Sequence, residues 1–211
     1  MIVTALGSSW AIRAGPFGRI AEGSVWLGIG TWNRCKARAG RGGRQRAADA
    51  RRGMTSAEEF RRVMGHFATG VTVVTSRGPE GEPVGLTVNA FTSVSLEPLL
   101  ILVCIHNRAS GREPLLGAGH FAVNILAEDQ EALALRFASK FAAERFHELE
   151  IRDGPLGSPL VPGALAWLEC RVQAVFPGGD HSVILGEVMD FHARRGRPLL
   201  FFQGRLRGLG I

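Results

Sequence analysis

A run of small polar side chains without charge lies near the middle of the chain. Residues 84–96 contain no Lys, Arg, Asp or Glu, which is unusual for a solvated sheet surface. Because alternate side chains of an extended strand share one face, we expect the hydroxyl and amide groups of this run to line one surface. The apolar run 99–105 behind it would complete a seat for a flat ligand with a polar edge and an apolar end. The groups concerned are Thr87, Asn89, Ser93 and Ser95.

The residues after that apolar run could bind an anion. Arg108 and Ser110 stand between a predicted strand and a predicted helix. Their side chains and the nearby backbone N–H groups could hold a phosphate. The same residues could equally form the capped start of an ordinary helix. The residue types leave both interpretations open.

His181 is the histidine best placed for chemistry. It follows the turn sequence 177–180 (PGGD), between two predicted strands, where a side chain can face a pocket. An ordinary turn histidine is the alternative.

Familiar catalytic and nucleotide-binding motifs are missing from the sequence. Residues 117–122 (GAGHFA) match the loose GxGxxA pattern, but the predicted helix precedes them and the strand follows, which is the reverse of the Rossmann order. No GxxxxGK[ST], HExxH or GxSxG occurs, so phosphoryl transfer, zinc hydrolysis and α/β-hydrolase chemistry lack their markers. We predict no metal site.

Charge divides the chain near Met54. Residues 1–53 hold ten basic and two acidic residues, which leaves 15 basic and 17 acidic residues for 54–211. The high pI therefore belongs to the leader, and a nucleic-acid-binding role for the body loses its support. The leader lacks apolar periodicity, so we expect disorder. It is either a targeting or binding tail or a segment preceding a natural start at Met54.

Cysteine usage and hydropathy indicate a soluble protein of a reducing, cytoplasmic compartment. The longest apolar run, 99–105, is seven residues, far short of the roughly 18 that a membrane span needs. The three cysteines have no CxxC spacing, and two lie in predicted strands, so we expect buried free thiols. They are Cys35, Cys104 and Cys170.

Hydrophobic periodicity predicts a mainly β body with a few short helices. A capping box at Ser56 and Glu59 opens an amphipathic helix, and β-branched or alternating runs read as antiparallel hairpins. The absence of a βαβ rhythm favours a small antiparallel barrel. Predicted helices after the first cover 109–117 and 128–137; predicted strands cover 71–75, 84–88, 91–95, 99–105, 121–126, 164–176, 182–191 and 199–202.

Several stretches, in order and with near-normal spacing across about residues 56–209, resemble the short-chain flavin reductase family. Members of this family are the reductase components of two-component flavin monooxygenases. The resemblance implies a split β-barrel homodimer that binds FMN or FAD and reduces it with NADH or NADPH. The stretches are 65–75 (GHFATGVTVVT), 85–98 (GLTVNAFTSVSLEP), 121–126 (FAVNIL), 179–181 (GDH) with 186–188 (GEV), and 198–202 (PLLFF).

The resemblance also implies roles for individual residues. His181 falls at the histidine associated with the nicotinamide, and we expect it to orient the ring as a hydrogen-bond donor rather than carry a proton. The tail Leu206, Arg207, Gly208 and Leu209 falls near the remaining pyridine-nucleotide contacts. Flavin contacts are implied for Thr87, Val88, Asn89, Ala90, Phe91, Ser93 and Val94 at the ring, for Arg108, Ala109 and Ser110 at the phosphate end, and for Lys140 and Phe141.

The implied activity is hydride transfer from the nicotinamide to the flavin, followed by release of reduced flavin to a separate oxygenase. A carrier or sensor of the same fold without turnover is the alternative. The chain has no Tyr, and Leu206 stands where relatives often have an aromatic residue. Relatives often hold the phosphate with paired lysines rather than Arg108 and Ser110, so FMN and FAD both stay open, as do NADH and NADPH.

Overall fold

The computed structural model describes residues 56–139 and 144–210. The predictions for the leader 1–53, for Met54 as a start, and for Cys35, Lys140 and Phe141 lie outside these residues and stay predictions. Within the described ranges no helix combines the length and apolar content needed to cross a bilayer.

Three helices lie in the described part of the chain: α1 (Ala57–Met64), α2 (Arg112–Ala118) and α3 (Glu131–Ala138). The predicted cap of α1 is confirmed, because Ser56 Oγ accepts a hydrogen bond of 3.1 Å from Glu59 N. The other two helices begin three residues later than predicted. Tight turns occupy the difference: Arg112 N bonds Ala109 O, and Gln130 N bonds Ala127 O.

Twelve strands form three antiparallel sheets in the described residues. The prediction of a mainly β, antiparallel body with a few short helices is therefore confirmed. The strands are β1 (Thr69–Gly70), β2 (Thr72–Arg77), β3 (Pro83–Val88), β4 (Phe91–Leu96), β5 (Leu99–His106), β6 (His120–Ile125), β7 (Arg152–Asp153), β8 (Pro159–Leu160), β9 (Ala166–Gly178), β10 (His181–Ala193), β11 (Leu200–Phe202) and β12 (Arg205–Arg207).

The main sheet has seven strands in the order β3-β2-β6-β9-β10-β5-β4. The predicted hairpins β2–β3, β4–β5 and β9–β10 all form. The sequence did not predict that β6 would join β2 to β9, or that β5 would pair with β10. The order leaves β3 and β4 at the two edges of the sheet, although only residues 89 and 90 separate them in the chain.

Strand β2 divides two apolar cores. Its side chains alternate between the sheet faces, so Val74 packs with Ile105, Leu115 and Phe121 in one core. Val73 packs with Phe137 of α3 in the other. Burial on both faces explains why a β-branched run without polar alternation forms this strand.

The two described cysteines are free thiols, as predicted, but Cys104 is only partly buried. Cys170 is buried in the first core, and burial raises the pKa of its thiol to about 12. Burial also raises the pKa of Cys104. Neither thiol is activated as a nucleophile.

Candidate functional site

The polar run splits where β3 ends and β4 begins. Thr87 is buried, and its hydroxyl donates a 2.7 Å hydrogen bond to Ala134 O of α3; Val88 is buried in the first core. Asn89 Nδ2 lies 3.4 Å from Thr69 Oγ1 of β1, and Ala90 is exposed. The first two predicted flavin contacts therefore point their side chains into the protein.

Strand β4 presents the exposed part of the run. Phe91 packs against the first core, whereas Thr92, Ser93 and Val94 are exposed. A bulge lies between Ser93 and Ser95. The expected single face does not form, because the chain turns at 89–90 and the bulge then interrupts the alternation.

The loop after β5 is shaped by its own hydrogen bonds. His106 Nδ1 accepts from Arg108 N at 3.0 Å, and Ala109 N bonds His106 O at 2.9 Å. The side chains of Arg108 and Ser110 are exposed, and Ala109 packs on the first core. Helix α2 begins beyond this loop with Gly111 as its N-cap and no side-chain capping bond, so Arg108 and Ser110 do not act as the helix cap.

Arg145 lies beneath that loop and was missed by the sequence reasoning. It is 8% exposed. Its Nη1 donates to Gly85 O at 2.7 Å and lies 3.4 Å from Ser110 Oγ, and its Nη2 donates to Ser139 O at 2.5 Å. Its Nε finds no partner among the described residues, and burial lowers the pKa of this guanidinium. A buried cation that contacts neutral oxygens favours an anion nearby.

A sequence signal for Arg145 existed. The chain contains three basic-Phe pairs in close succession, Arg136-Phe137, Lys140-Phe141 and Arg145-Phe146, and the predicted flavin contacts were assigned to the second. Phe146 packs edge-on against Phe137, with ring centroids 4.9 Å apart. A Cβ at Gly85 would lie 2.7 Å from the Phe137 ring, so only glycine lets the two rings approach this strand and fixes Arg145 below it.

His181 is the first residue of β10, after a two-residue turn that Gly179 makes with φ of 74°. Its Nδ1 lies 2.7 Å from Asp180 Oδ1. That hydrogen bond is the main reason that the pKa of Asp180 is lowered. The ionised carboxylate can only accept, so His181 Nδ1 carries the proton and Nε2 is left for a ligand.

A cavity of about 350 Å³ opens beside His181. Ser182 Oγ donates to Asn107 Oδ1 at 2.8 Å and accepts from Arg112 Nε at 2.9 Å, which fixes the polar wall of the cavity. Its lining residues are Asn107, Arg112, Val175, Phe176, Pro177, His181 and Ser182.

The C-terminal tail lies on a different sheet from His181. Leu206 pairs with Phe201, and Phe201 pairs with Thr69, the residue that contacts Asn89. Leu206 packs on the second core, whereas Arg207, Gly208 and Leu209 are exposed. The described contacts thus join the tail to the turn between β3 and β4.

Residues 56–139 and 144–210 contain no cluster of three or more His, Cys, Asp or Glu arranged to hold a metal ion. The polar groups instead form three sets: the exposed face of β4, the loop 108–110 above Arg145, and the turn that carries His181. These sets lie at the edges and strand ends of an antiparallel β protein.

Comparison with known proteins identifies the family. Residues 64–210 match the model of the flavin reductase like domain, so the chain belongs to this family. The FMN reductase (NADH) SmoA of Agrobacterium fabrum is 43% identical over 152 residues, which are 72% of this chain and 86% of that protein. The flavin-dependent monooxygenase reductase subunit HsaB of Rhodococcus jostii is 39% identical over 151 residues, 71% of this chain and 76% of that one.

Solved structures agree with this assignment. The NADH:FAD oxidoreductase SgcE6 of Streptomyces globisporus, in complex with NAD and FAD fragments, superposes with a TM-score of 0.67 at 41% identity. The superposition covers 71% of this chain and 90% of that one.

Proposed function

We propose that this chain is a flavin reductase that oxidises NADH, reduces a flavin, and passes the reduced flavin to a separate monooxygenase. The observation that carries the proposal is the family match over residues 64–210, together with relatives named as an NADH-dependent FMN reductase and as a monooxygenase reductase subunit. The chemistry supplied by the two bound molecules is hydride transfer from the nicotinamide C4 to the flavin N5.

The flavin ring would lie against the exposed face of β4. Ser93 would supply a hydroxyl and Val94 an apolar contact, and the turn at 89–91 would lie at the edge of the ring. Thr87 and Val88 would contribute through the backbone, since their side chains point inward. An uncharged surface with both polar and apolar groups fits a ring that is polar at one end and apolar at the other.

The phosphate end would lie over the loop of Arg108, Ala109 and Ser110. This loop fits an anion because the buried, partly unsatisfied Arg145 lies directly under Ser110, and a guanidinium suits phosphate oxygens. Lys140 and Phe141 remain additional predicted contacts.

His181 would hold the nicotinamide through its carboxamide. With Nδ1–H committed to Asp180, the neutral ring presents Nε2 as an acceptor for the carboxamide NH₂. This proposal reverses the expectation from the sequence, in which His181 was a donor. The protein needs no acid–base pair for hydride transfer; it must hold the two rings in contact and exclude water.

Turnover assays test the proposal. Purified protein is mixed with NADH or NADPH and with FMN, FAD or riboflavin, while the absorbance of the reduced nicotinamide is followed. We expect oxidation of NADH that depends on added flavin. Absence of oxidation with every combination would refute the reductase; tightly retained flavin without oxidation would indicate the carrier or sensor instead.

Transfer to a partner oxygenase would proceed through released flavin. A flavin-dependent oxygenase that lacks its own reductase should turn over when this chain, NADH and flavin are supplied. Failure of that coupled reaction, in the presence of normal flavin reduction, would remove the two-component role alone.

The split-barrel homodimer of the family is also proposed for this chain. Support for the barrel comes from the two edge strands, because β3 and β4 can be joined by two residues only if the sheet curls until its edges meet. Support for a dimer comes from α1, in which no residue is buried. The apolar face of α1 is exposed in the single chain, and so is Phe67 in the turn that follows the helix. An exposed apolar patch of this kind is typical of an uncovered interface; the helix residues are Phe60, Val63 and Met64.

A further inference from the structure

His106 is a buried histidine that the proposed mechanism does not use. It ends β5 directly opposite His181 in the β5–β10 ladder, and it is 6% exposed. The two rings meet edge-on with centroids 5.1 Å apart and an interplanar angle of 79°. A buried polar ring in contact with His181 can affect how His181 is oriented.

Each nitrogen of the His106 ring faces a different part of the site. Nδ1 accepts the backbone N–H of Arg108 at 3.0 Å, so in the neutral ring the proton is on Nε2. Nε2 lies 4.0 Å from Asp180 Oδ2, while the other oxygen of that carboxylate bonds His181. The His106 ring therefore lies between the loop 108–110 and the Asp180–His181 pair.

A backbone bond reinforces the same junction. Asn107 N donates to Asp180 O at 2.9 Å, so the loop that follows His106 is joined to the turn before His181 by main chain as well. Asp180 is itself half exposed, and a neighbouring N–H dipole on a buried ring limits how far its carboxylate can turn. Orientation of His181 then depends on a residue that also shapes the loop 108–110.

We propose that His106 is a positioning residue that ties the flavin-phosphate loop to the Asp180–His181 pair. These contacts of His106 keep the flavin site and the nicotinamide site in one relative geometry. The nicotinamide held by His181 then meets the ring of a flavin held by the loop 108–110. This inference rests on the proposed function for the identity of the two ligands. It goes beyond that function because it assigns a role to a residue that contacts neither ligand.

Two amide substitutions separate the two contacts of His106, one with Arg108 N and the other with Asp180. Asn places an amide oxygen near the position of Nδ1, so His106→Asn keeps the acceptor for Arg108 N and loses the group facing Asp180. Gln places its amide near Nε2, so His106→Gln keeps a donor towards Asp180 and loses the acceptor. We expect His106→Asn to raise the KM for NADH by roughly three- to tenfold with flavin affinity changed less than about twofold, and His106→Gln to do the reverse.

A double variant tests whether the effect of His106 on NADH acts through Asp180. In an Asp180→Asn background, His106→Asn should add less than about twofold to the KM for NADH, because both changes break the same link. Independent effects of full size would overturn the proposal, as would equal effects of the Asn and Gln variants on both ligands. His147→Asn, at an exposed histidine, is the matched control and should behave as wild type.

A readout without turnover separates this proposal from the reductase assignment. Ring ¹⁵N signals of histidine-labelled protein report which nitrogen of His181 carries the proton. His106→Asn should shift the His181 signals towards a mixture of tautomers, and His147→Asn should not. Unchanged His181 signals would refute the tie even in a fully active enzyme, and a shift would support it even if wild type fails the flavin reduction assay.

Discussion

The guanidinium of Arg145 reaches up to the hydroxyl of Ser110, with Nη1 3.4 Å from Oγ, across 35 positions of sequence. The contact brings a buried cation under the exposed loop where the phosphate end of the flavin is proposed. Phosphate affinity should therefore depend on a residue that the solvent barely reaches.

Replacing Arg145 by Gln should weaken binding of FMN by about tenfold or more, because a charge-assisted contact to phosphate is lost. Riboflavin, which has no phosphate, should bind within about twofold of wild type. Flavin fluorescence quenching measures both affinities. Equal losses for FMN and riboflavin would show that Arg145 only supports the fold.

Lys140→Gln is the informative comparison for that experiment. If Arg145 rather than Lys140 lies beside the phosphate, the Lys140 variant should change FMN affinity less than the Arg145 variant does. Arg136→Gln, which removes the hydrogen bond that Arg136 Nη1 donates to His147 O, controls for the loss of an arginine.

Asp180→Asn should raise the KM for NADH more than that for flavin. The amide can donate to His181 Nδ1 and so favours the opposite tautomer, with Nε2 protonated and no longer an acceptor. We expect a loss of kcat/KM for NADH of about tenfold. A larger effect on flavin would contradict the assignment of this turn to the nicotinamide.

The same carboxylate gives an acid limit to stability. The hydrogen bond from His181 lowers the pKa of Asp180 below its ordinary 3.8. Its contribution is present above pH 3.8 and is lost as pH falls through the lower folded pKa. Asp180→Asn should therefore unfold with a shallower pH dependence in that acid range, as followed by circular dichroism.

His106 should give a second loss of stability on the acid side, nearer to neutral pH. Burial, and next the neighbouring His181, lower its pKa below 6.5, with Arg108 acting in the same direction and Asp180 against it. The unfolded chain then takes up the proton first, so stability falls as pH drops below 6.5 towards the folded pKa. His106→Gln should lose less Tm than wild type between about pH 7.5 and pH 5.5; an unchanged slope would contradict the burial argument.

Variants of Thr87 and Ser93 should distinguish residues that stabilise the fold from residues that contact the flavin. Thr87→Val removes the hydroxyl that bonds Ala134 O and should lower the free energy of unfolding by about 1–2 kcal/mol with little effect on flavin affinity. Ser93→Val should do the reverse, because Ser93 is exposed on β4. Denaturant titration and flavin binding measured on both variants check the pair.

A charge in the apolar face of α1 should disrupt the proposed dimer. Phe60 is 60% exposed in the single chain, and Phe60→Glu would bury an unpaired carboxylate at an interface. Sedimentation should show wild type as a dimer and the variant shifted towards monomer. Glu58→Gln on the polar side of the same helix is the control, and a monomeric wild type would refute the interface.

Local patterns in the sequence predicted the local parts of the fold. The N-cap at Ser56 and the three hairpins depend on neighbours in the chain, and all of them form. The pairing of β5 with β10 depends on which strands meet after the hairpins assemble. Periodicity carries no information about that choice.

The candidate site also combines features that local sequence predicts with features that it does not. The exposed serine of β4 and the turn that carries His181 were visible as local motifs. The inward direction of Thr87, the burial of Arg145 and the approach of His106 to His181 arise from contacts between distant segments. Basic-Phe pairs recur in this part of the chain, and their sequence does not reveal that Arg145 is buried beside Gly85.

The short link between β3 and β4 has a consequence for folding. Each belongs to a different local hairpin, and these hairpins are connected through the sheet only by the long-range pairings of β6, β9 and β10. Pairings between sequence-distant strands form late, because loop-closure entropy opposes them. The proposed flavin-binding surface is continuous in sequence, but it is complete only when the last of these strand pairs has formed. Recovery of flavin binding during refolding should therefore lag behind hairpin formation and mark arrival at the native state.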